Sequence, residues 1–147
     1  MIIDDEYAMQ NLGERLAHAI DGGILMTLVG DVGAGKTTLV HGIARGMGID
    51  ETVQSPSFTI SRVYDSPGRR LVHYDFYRLD DPGIMADELA ETVTGDDVVV
   101  IEWAATVDRI LPSDHMIVTI VPHGDTARAV TLDATGPKSK SILERLA

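Results

Sequence analysis

Hydrophobic side chains recur at a helical spacing near the beginning of the chain. Between Asp5 and Ile20, the residues Ala8, Leu12 and Leu16 follow one another at every fourth position, and Ile20 continues the series. This spacing places them on one stripe of a helix. We expect the helix to end at the Asp-Gly-Gly sequence that follows.

Two aliphatic runs predict buried parallel strands. Residues 24–29 (ILMTLV) form a nearly continuous apolar run bounded by glycines, and residues 98–101 (VVVI) form a second one. Helix-forming sequence follows the first run, from Thr37 to about Met47, where Gly46 and Gly48 are plausible terminators. A further helix is expected after the second run, as far as Leu111.

Two other regions predict β-hairpins. The segments FTISRVY and RLVHYDFYRL are separated by the turn sequence DSPG at residues 65–68, and MIVTIV and ARAVTLDA are joined around residues 123–125. A last helix is expected near residues 139–146. The acidic stretch 84–93 is compatible with either a short helix or an ordered loop.

These elements predict one α/β domain over residues 1–147. Strands that alternate with helices favour a three-layer sandwich with a central, mostly parallel sheet, to which the hairpins add antiparallel strands. A chain of 147 residues can bury about two thirds of the surface that it exposes when unfolded. Its apolar runs are shorter than the roughly 20 residues of a membrane-spanning helix. The acidic N-terminal sequence is unlike a secretory signal, so we expect a cytoplasmic protein without membrane contact.

Composition narrows the classes of function. The chain has no cysteine, which excludes disulfides, thiolate metal sites and thiol catalysis. Its formal net charge is −11, with 12 Lys and Arg against 23 Asp and Glu. Nucleic-acid binding by an isolated domain depends largely on a basic surface that neutralises phosphates. This balance allows one local basic site, and any nucleic acid is expected to be held by a partner.

The sequence GDVGAGKT, which begins at Gly30, fits the phosphate-loop pattern G-x-x-x-x-G-K-[ST] between a predicted strand and a predicted helix. Small residues allow successive backbone N–H groups to surround a phosphate, and the helix N-terminus adds a partial positive charge. We expect Lys36 to contact the β- and γ-phosphates and the Thr37 hydroxyl to bind Mg²⁺. The residues expected to contact the nucleotide here are Val32, Gly33, Ala34, Gly35, Lys36, Thr37 and Thr38. The alternative is an ordinary strand-to-helix turn with incidental glycines.

Two carboxylates are candidates for the chemistry. Glu102 ends an aliphatic strand, where ligands bind in open α/β sheets, and it could be a metal ligand. Asp75 lies on the strand face opposite Tyr74 and Phe76 and could position an attacking water. The alternatives are a solvated glutamate at a strand end and an aspartate paired with a nearby arginine.

Other candidate residues have weaker signals. The sequence Ser55-Pro56-Ser57-Phe58 is compatible with a segment that senses the γ-phosphate or with a plain turn. Trp103 could be an exposed contact or a core residue. The five histidines show no metal-ligand spacing, and we interpret all five as structural.

The motifs GDVGAGKTT, SPSF, HYDFYRL and IEW, in this order and in so short a chain, resemble the TsaE (YjeE) family of small bacterial P-loop ATPases. The resemblance implies a P-loop NTPase-like fold that binds ATP and Mg²⁺. It also implies a role in making N6-threonylcarbamoyladenosine at position 37 of tRNAs that read ANN codons. In this pathway the partners TsaB and TsaD carry out the transfer, and the ATPase supports repeated cycles.

The same resemblance assigns roles to individual residues. It places the family's phosphate-loop residues at Lys36 and Thr37, its metal-binding Glu at Glu102 and its hydrolytic Asp at Asp75. It further implies that three residues approach the nucleotide, namely Glu6, Ala127 and Arg128. The chain departs from the family pattern at Ser57, where Thr is usual, and across residues 84–94.

Three hypotheses follow from the sequence. The first is a Mg²⁺-dependent ATPase, weak alone and stimulated by partners, in which Lys36, Asp75 and Glu102 are the catalytic residues. The second is a small-molecule kinase, although twelve dispersed cations leave little material for an arginine-rich lid. The third is a nucleotide-switched binding module, in which bound ATP sets the assembly state and is rarely hydrolysed.

Overall fold

The structure is a computed structural model, and it describes residues 1–31, 33–54, 61–76, 87, 91, 95–104 and 111–146. The strands are β1 (Ile2–Ile3), β2 (Ile24–Val29), β3 (Ser61–Ser66), β4 (Arg69–Asp75), β5 (Val98–Glu102), β6 (Met116–His123) and β7 (Ala127–Ala134). The helices with resolved bounds are α1 (Glu6–Ala19), α2 (Lys36–Gly46) and α3 (Pro137–Leu146).

The described strands form one seven-stranded sheet in the order β1-β7-β6-β2-β5-β4-β3. Strands β6, β2, β5 and β4 are parallel to one another. Strand β3 is antiparallel to β4 at one edge, and β7 and β1 add antiparallel pairs at the other. The carboxyl ends of β2, β5 and β4 therefore meet at one edge of the sheet, where open α/β folds bind ligands.

Helices α1 and α2 approach each other so closely that their backbones touch. A Cβ atom added at Gly42 would lie 2.0 Å from the carbonyl oxygen of Gln10, and one added at Gly13 would lie 2.4 Å from that of Leu39. Asp5 caps α1 by accepting a hydrogen bond from the Ala8 amide at 2.8 Å. The glycines thus fix the position of α2, which begins at the phosphate loop, against α1.

Strand alternation sorts the core into two clusters on opposite faces of the sheet. The face under α1 and α2 holds the larger cluster, which includes Leu12, Leu16, Met26, Leu39 and Ile43. The other face holds Leu25, Val72, Tyr74, Phe76, Val99 and Ile101. Because Asp75 and Glu102 alternate with members of the second cluster, both carboxylates lie on the face of α1 and α2.

Most of the predicted elements are confirmed. The first two helices, the two aliphatic strands and both hairpins are present, and the last helix begins at Pro137, two residues before the predicted position. The α/β fold class is confirmed, with a mixed sheet whose parallel part is its centre.

The structure also corrects and limits the sequence predictions. Strand β1 was not predicted, and it pairs with β7 through Ile2 opposite Ala129. The acidic stretch 84–93 lies outside the described residues except for Asp87 and Glu91, which are both helical. The helix expected after β5 also lies largely outside them. No helix among the described residues is long and apolar enough to cross a membrane.

Candidate functional site

Two glycines in the segment between β2 and α2 have unusual backbone conformations. Gly33 and Gly35 adopt left-handed conformations, with φ values of 83° and 109°. A residue with a side chain is destabilised by roughly 1–2 kcal/mol in this left-handed conformation, so glycine is favoured at both positions. At Gly30 the reason is space, because an added Cβ would lie 2.8 Å from the carbonyl oxygen of Ile120.

The first turn of α2 follows this loop directly and has no side-chain cap. Its N-cap is Gly35, which has no side chain to accept a hydrogen bond, and the first turn contains no acidic residue. The N–H groups at a helix N-terminus lack intrahelical acceptors and attract anions. Thr37 and Thr38 lie in this turn and are partly buried.

Lys36 is the first residue of α2, and its side chain is almost completely buried, with 6% exposed. Its Nζ atom donates a hydrogen bond to the carbonyl oxygen of Gly30 at 2.6 Å. The same atom lies 3.7 Å from Oε1 of Glu102. The ammonium group is therefore held inside the curve of the loop, paired with a carboxylate from a neighbouring strand.

Glu102 is the last residue of β5, and the structure places it beside two polar residues of β4. Asp75 is its direct partner in register on β4, and both residues are buried. A hydrogen bond of 2.6 Å joins Nε2 of His73 to Oε2 of Glu102. The carboxylate of Glu102 thus lies between Lys36 on one oxygen and His73 on the other.

Trp103 follows Glu102 directly and has a left-handed backbone, with φ of 58°. Bulky residues rarely adopt this conformation, and in a protein it is found mainly where the surroundings enforce it. The Lys36 ammonium lies 4.4 Å from the centre of the Trp103 ring. Trp103 is partly buried against the second core cluster, so it is both a core residue and a contact of the site.

Arg128, near the beginning of β7, reaches across to the phosphate loop. Its Nε atom donates to the carbonyl oxygen of Ala34 at 3.0 Å, and Nη2 lies 3.5 Å from that of Gly33. Glu6 is an exposed residue at the beginning of α1. The Thr126 hydroxyl donates to the carbonyl oxygen of Asp4 at 3.1 Å, which brings the β6–β7 turn to the segment that precedes α1.

The structure therefore brings together most of the residues that the sequence singled out. Lys36, Thr37 and Glu102 lie at one edge of the sheet, with Asp75 beside Glu102. Arg128 contacts the loop carbonyls, and the neighbouring Ala127 accepts from Nη1 of Arg128 at 2.9 Å. Contact between Glu6 and the loop is not among the described interactions. Val32 and the segment Ser55-Pro56-Ser57-Phe58 lie outside the described residues.

Sequence reasoning missed one residue of this site, because it treated all five histidines as structural. His73 is completely buried and contacts Glu102 directly. A signal was available in the strand pattern. His73 lies two residues before Asp75 and therefore on the same face of β4.

The residues present fit a polyphosphate with a bound divalent cation. The loop offers backbone donors and an ammonium group, while Thr37 and Glu102 offer oxygen atoms of the kind that Mg²⁺ prefers. Among the described residues there is no group of three or more His, Asp or Glu that could hold a metal ion by itself. In a Mg²⁺ site of the usual kind, phosphates and waters would supply the remaining ligands.

The chain is similar to known proteins over most of its length. Residues 3–130 match the family model described as "Threonylcarbamoyl adenosine biosynthesis protein TsaE". The chain is 37% identical over 126 residues to the TsaE protein of Bacillus subtilis (strain 168), covering 84% of this chain and 78% of that one. It is 40% identical over 138 residues to that of Streptomyces coelicolor, covering 88% and 93%. Both relatives are described as tRNA threonylcarbamoyladenosine biosynthesis proteins.

A solved structure has the same fold. The crystal structure of YdiB from Bacillus subtilis superposes with a TM-score of 0.84 at 31% sequence identity, over 99% of this chain and 91% of that one. The family match spans most of the chain, and it includes the phosphate loop, the strand with His73 and Asp75, and the strand that ends at Glu102. The chain belongs to the TsaE family of threonylcarbamoyl adenosine biosynthesis proteins.

Proposed function

We propose that this protein is a Mg²⁺-dependent ATPase that assists the proteins TsaB and TsaD in making N6-threonylcarbamoyladenosine on tRNA. The proposal rests on the contact between Lys36 and Glu102. Nζ of Lys36, which directly follows the phosphate loop, lies 3.7 Å from Oε1 of Glu102 at the carboxyl end of β5. A buried ammonium group at this position can bind phosphates, and the buried carboxylate beside it can bind a metal ion.

ATP would bind with its phosphates in the loop that contains Gly33 and Gly35. The backbone N–H groups at the beginning of α2 would donate to phosphate oxygens, and Lys36 would neutralise part of their negative charge. Bound at Thr37 and Glu102, Mg²⁺ would supply further neutralisation of the phosphates. Positioning and charge stabilisation of this kind account for most of the catalysis of phosphoryl transfer.

Asp75 would orient the water that attacks the γ-phosphate. It is buried next to Glu102 at the carboxyl end of β4, on the face that α2 covers. A carboxylate at this position can accept a hydrogen bond from water and direct its oxygen toward phosphorus. The three residues that we assign to catalysis are therefore Lys36, Asp75 and Glu102.

We expect slow turnover by the protein alone. Arg128, the arginine that contacts the loop, donates to the carbonyl oxygens of Ala34 and Ala127 and so is engaged with the backbone. An arginine that stabilises the transition state can accelerate phosphoryl transfer by roughly 10³–10⁵. TsaB and TsaD would supply such stabilisation or order the site. Because the net charge is −11, the protein would reach tRNA only through these partners.

Phosphate release by purified variants tests the proposal. Glu102→Gln should reduce release at saturating ATP at least tenfold, because hydrogen bonds and charge at this site act on the transition state. Asp97→Asn is the matched control, since Asp97 precedes the same strand at its opposite end and pairs with the exposed Arg70. Equal rates for Glu102→Gln and wild type would contradict the proposal.

The same variants separate the ATPase from the two alternatives. If assembly with TsaB and TsaD requires ATP but continues normally in Asp75→Ala while phosphate release stops, binding and hydrolysis are separate functions. A nucleotide-switched binding module would show no hydrolysis in the wild type either. A small-molecule kinase would transfer the γ-phosphate of ATP to an added acceptor and would release free phosphate only slowly.

A further inference from the structure

We infer that His73 is a positioning residue that fixes the carboxylate of Glu102 through a hydrogen bond from Nε2, an inference that rests on the proposed role of Glu102. The sheet register makes this contact possible. His73 is the partner of Val100 across the β4–β5 pair, and Glu102 lies two residues beyond Val100 on the same face. The imidazole therefore reaches diagonally along the face to Oε2, at 2.6 Å.

Burial makes this hydrogen bond consequential. His73 is completely buried and Glu102 is 4% exposed, so water does not compete freely for either group. A hydrogen bond to a charged group is stronger than one between neutral groups, and a buried charge without one is strongly unfavourable. Within the described part of the chain, Oε2 of Glu102 contacts His73 and Oε1 faces the Lys36 ammonium.

The surroundings of the imidazole define where its hydrogen lies. An ionised carboxylate only accepts hydrogen bonds, so Nε2 of His73 must be the donor to Glu102. Among the residues that the structure describes, the buried Nδ1 atom has no hydrogen-bond partner. The contact with Glu102 thus assigns a hydrogen to Nε2 of His73.

This arrangement orients the opposite oxygen of Glu102. With Oε2 held by His73, rotation of the carboxylate would break a buried hydrogen bond, so Oε1 remains directed toward Lys36 and the phosphate loop. Partners that orient a metal ligand in this way typically affect metal affinity or activity by 10–100-fold. His73 would therefore determine how well Glu102 holds Mg²⁺ without touching the nucleotide itself.

Three substitutions at one position test this role. The side-chain amide of His73→Gln can place a donor where Nε2 lies, that of His73→Asn reaches only the position of Nδ1, and His73→Phe keeps the ring without a donor. We expect the ratio of ATP affinity with Mg²⁺ to that with EDTA to fall about 10–100-fold in the Asn and Phe variants. It should remain within about threefold of wild type in the Gln variant, and affinity in EDTA should change little in all three.

A merely structural role of His73 gives a different pattern. All three variants would then lower the melting temperature, while the Mg²⁺ dependence of ATP affinity would stay at the wild-type value, and this result would overturn the inference. His18→Gln is the control, because His18 is exposed in the last turn of α1. If the wild type itself shows no Mg²⁺-dependent ATP binding, the proposed function fails instead.

Nitrogen NMR of the wild type gives a readout that needs neither ATP nor activity. With ¹⁵N-labelled histidine, and with His73 assigned by the Gln variant, we expect a protonated Nε2. Glu102→Gln should shift the Nε2 resonance, since the acceptor changes from a charged to a neutral oxygen. An Nε2 atom without a hydrogen would contradict the inference, even if the Asn and Phe variants fail to fold.

Discussion

Arg128 donates from Nε to the carbonyl oxygen of Ala34 across 3.0 Å, and so ties the β6–β7 hairpin to the phosphate loop. The two residues are 94 positions apart in the chain. A carbonyl oxygen that accepts from a guanidinium is restrained, so this contact limits the movement of the loop around Ala34. The hairpin is thus part of the support of the candidate site.

Removing this support should weaken nucleotide binding. Charged hydrogen bonds contribute about 1.5–3 kcal/mol, and partial exposure reduces that value here, so we expect Arg128→Ala to raise the Kd for Mg-ATP roughly three- to tenfold. Arg70→Ala is the matched control, because Arg70 makes an exposed ion pair with Asp97 away from the loop. Calorimetric titration measures both values, and equal Kd values for the two variants would contradict this role.

Trp103 should report nucleotide binding through its fluorescence. It is the single tryptophan of the chain, and the Lys36 ammonium lies 4.4 Å from its ring centre. Because Lys36 would engage the phosphates, the charge over the indole face should change when Mg-ATP binds, and with it the emission. We expect no nucleotide-dependent change in Lys36→Ala. A wild-type emission spectrum that saturating Mg-ATP leaves unaltered would contradict the prediction.

The close approach of α1 and α2 predicts a large cost for Gly42→Ala. Alanine gains about 1 kcal/mol over glycine in a helix interior, but overpacking typically costs 1–3 kcal/mol. Here the added Cβ would lie 2.0 Å from the backbone oxygen of Gln10, so the two helices must separate. We expect a net loss of about 2 kcal/mol in the free energy of unfolding.

The control for this prediction is Gly22→Ala. The nearest atom to an added Cβ at Gly22 is the flexible end of Lys138, at 3.7 Å, and the backbone there is not left-handed. Urea denaturation should show almost no loss for Gly22→Ala. If Gly42→Ala is as stable as this control, the helices are less closely packed than the structure indicates.

Asp114 should make stability depend on pH at the acidic end. Burial alone raises the pKa of Asp114, but hydrogen bonds from the Ser139 hydroxyl and from the amides of Ser139 and Lys138 outweigh it, and the pKa is lowered below its ordinary value. A lowered folded-state pKa contributes stability above the unfolded-state pKa of about 3.9. This contribution is lost as the pH falls through the folded-state value.

Thermal unfolding between neutral pH and pH 3 checks this prediction. Asp114 accepts hydrogen bonds from amides in the first turn of α3, and a side-chain cap of this kind contributes about 0.5–2 kcal/mol. Asp114→Asn should therefore lower the melting temperature at pH 7, and the difference from wild type should shrink below pH 4. Asp133→Asn is a control with an exposed carboxylate on β7. A difference that stays constant over the whole pH range would contradict the role of the Asp114 charge.

The part of the site that sequence could predict is the part that local patterns encode. The phosphate loop depends on glycines, a lysine and a threonine that are consecutive in the chain, and Glu102 follows a recognisable aliphatic strand. The His73–Glu102 contact depends instead on the register between β4 and β5, which places two residues 29 positions apart on one diagonal. Periodicity within one strand contains no information about that register.

The same distinction explains the other differences. Strand β1 has only two residues, too few to show alternation, and it forms because β7 offers a free edge. The contact of Arg128 with Ala34 joins a hairpin to a loop through tertiary packing alone. In contrast, the helix limits near Asp5 and Gly46 follow from caps and glycines that are visible in the sequence.

Isothermal titration of the wild-type protein with ATP, in Mg²⁺ and in EDTA, tests the central claim most directly. We expect saturable binding that is at least about tenfold tighter with Mg²⁺, because Thr37 and Glu102 would add oxygen ligands to the metal-nucleotide complex. Lys36→Ala should abolish most of this affinity. An absence of binding, or equal affinity in Mg²⁺ and in EDTA, would contradict the account.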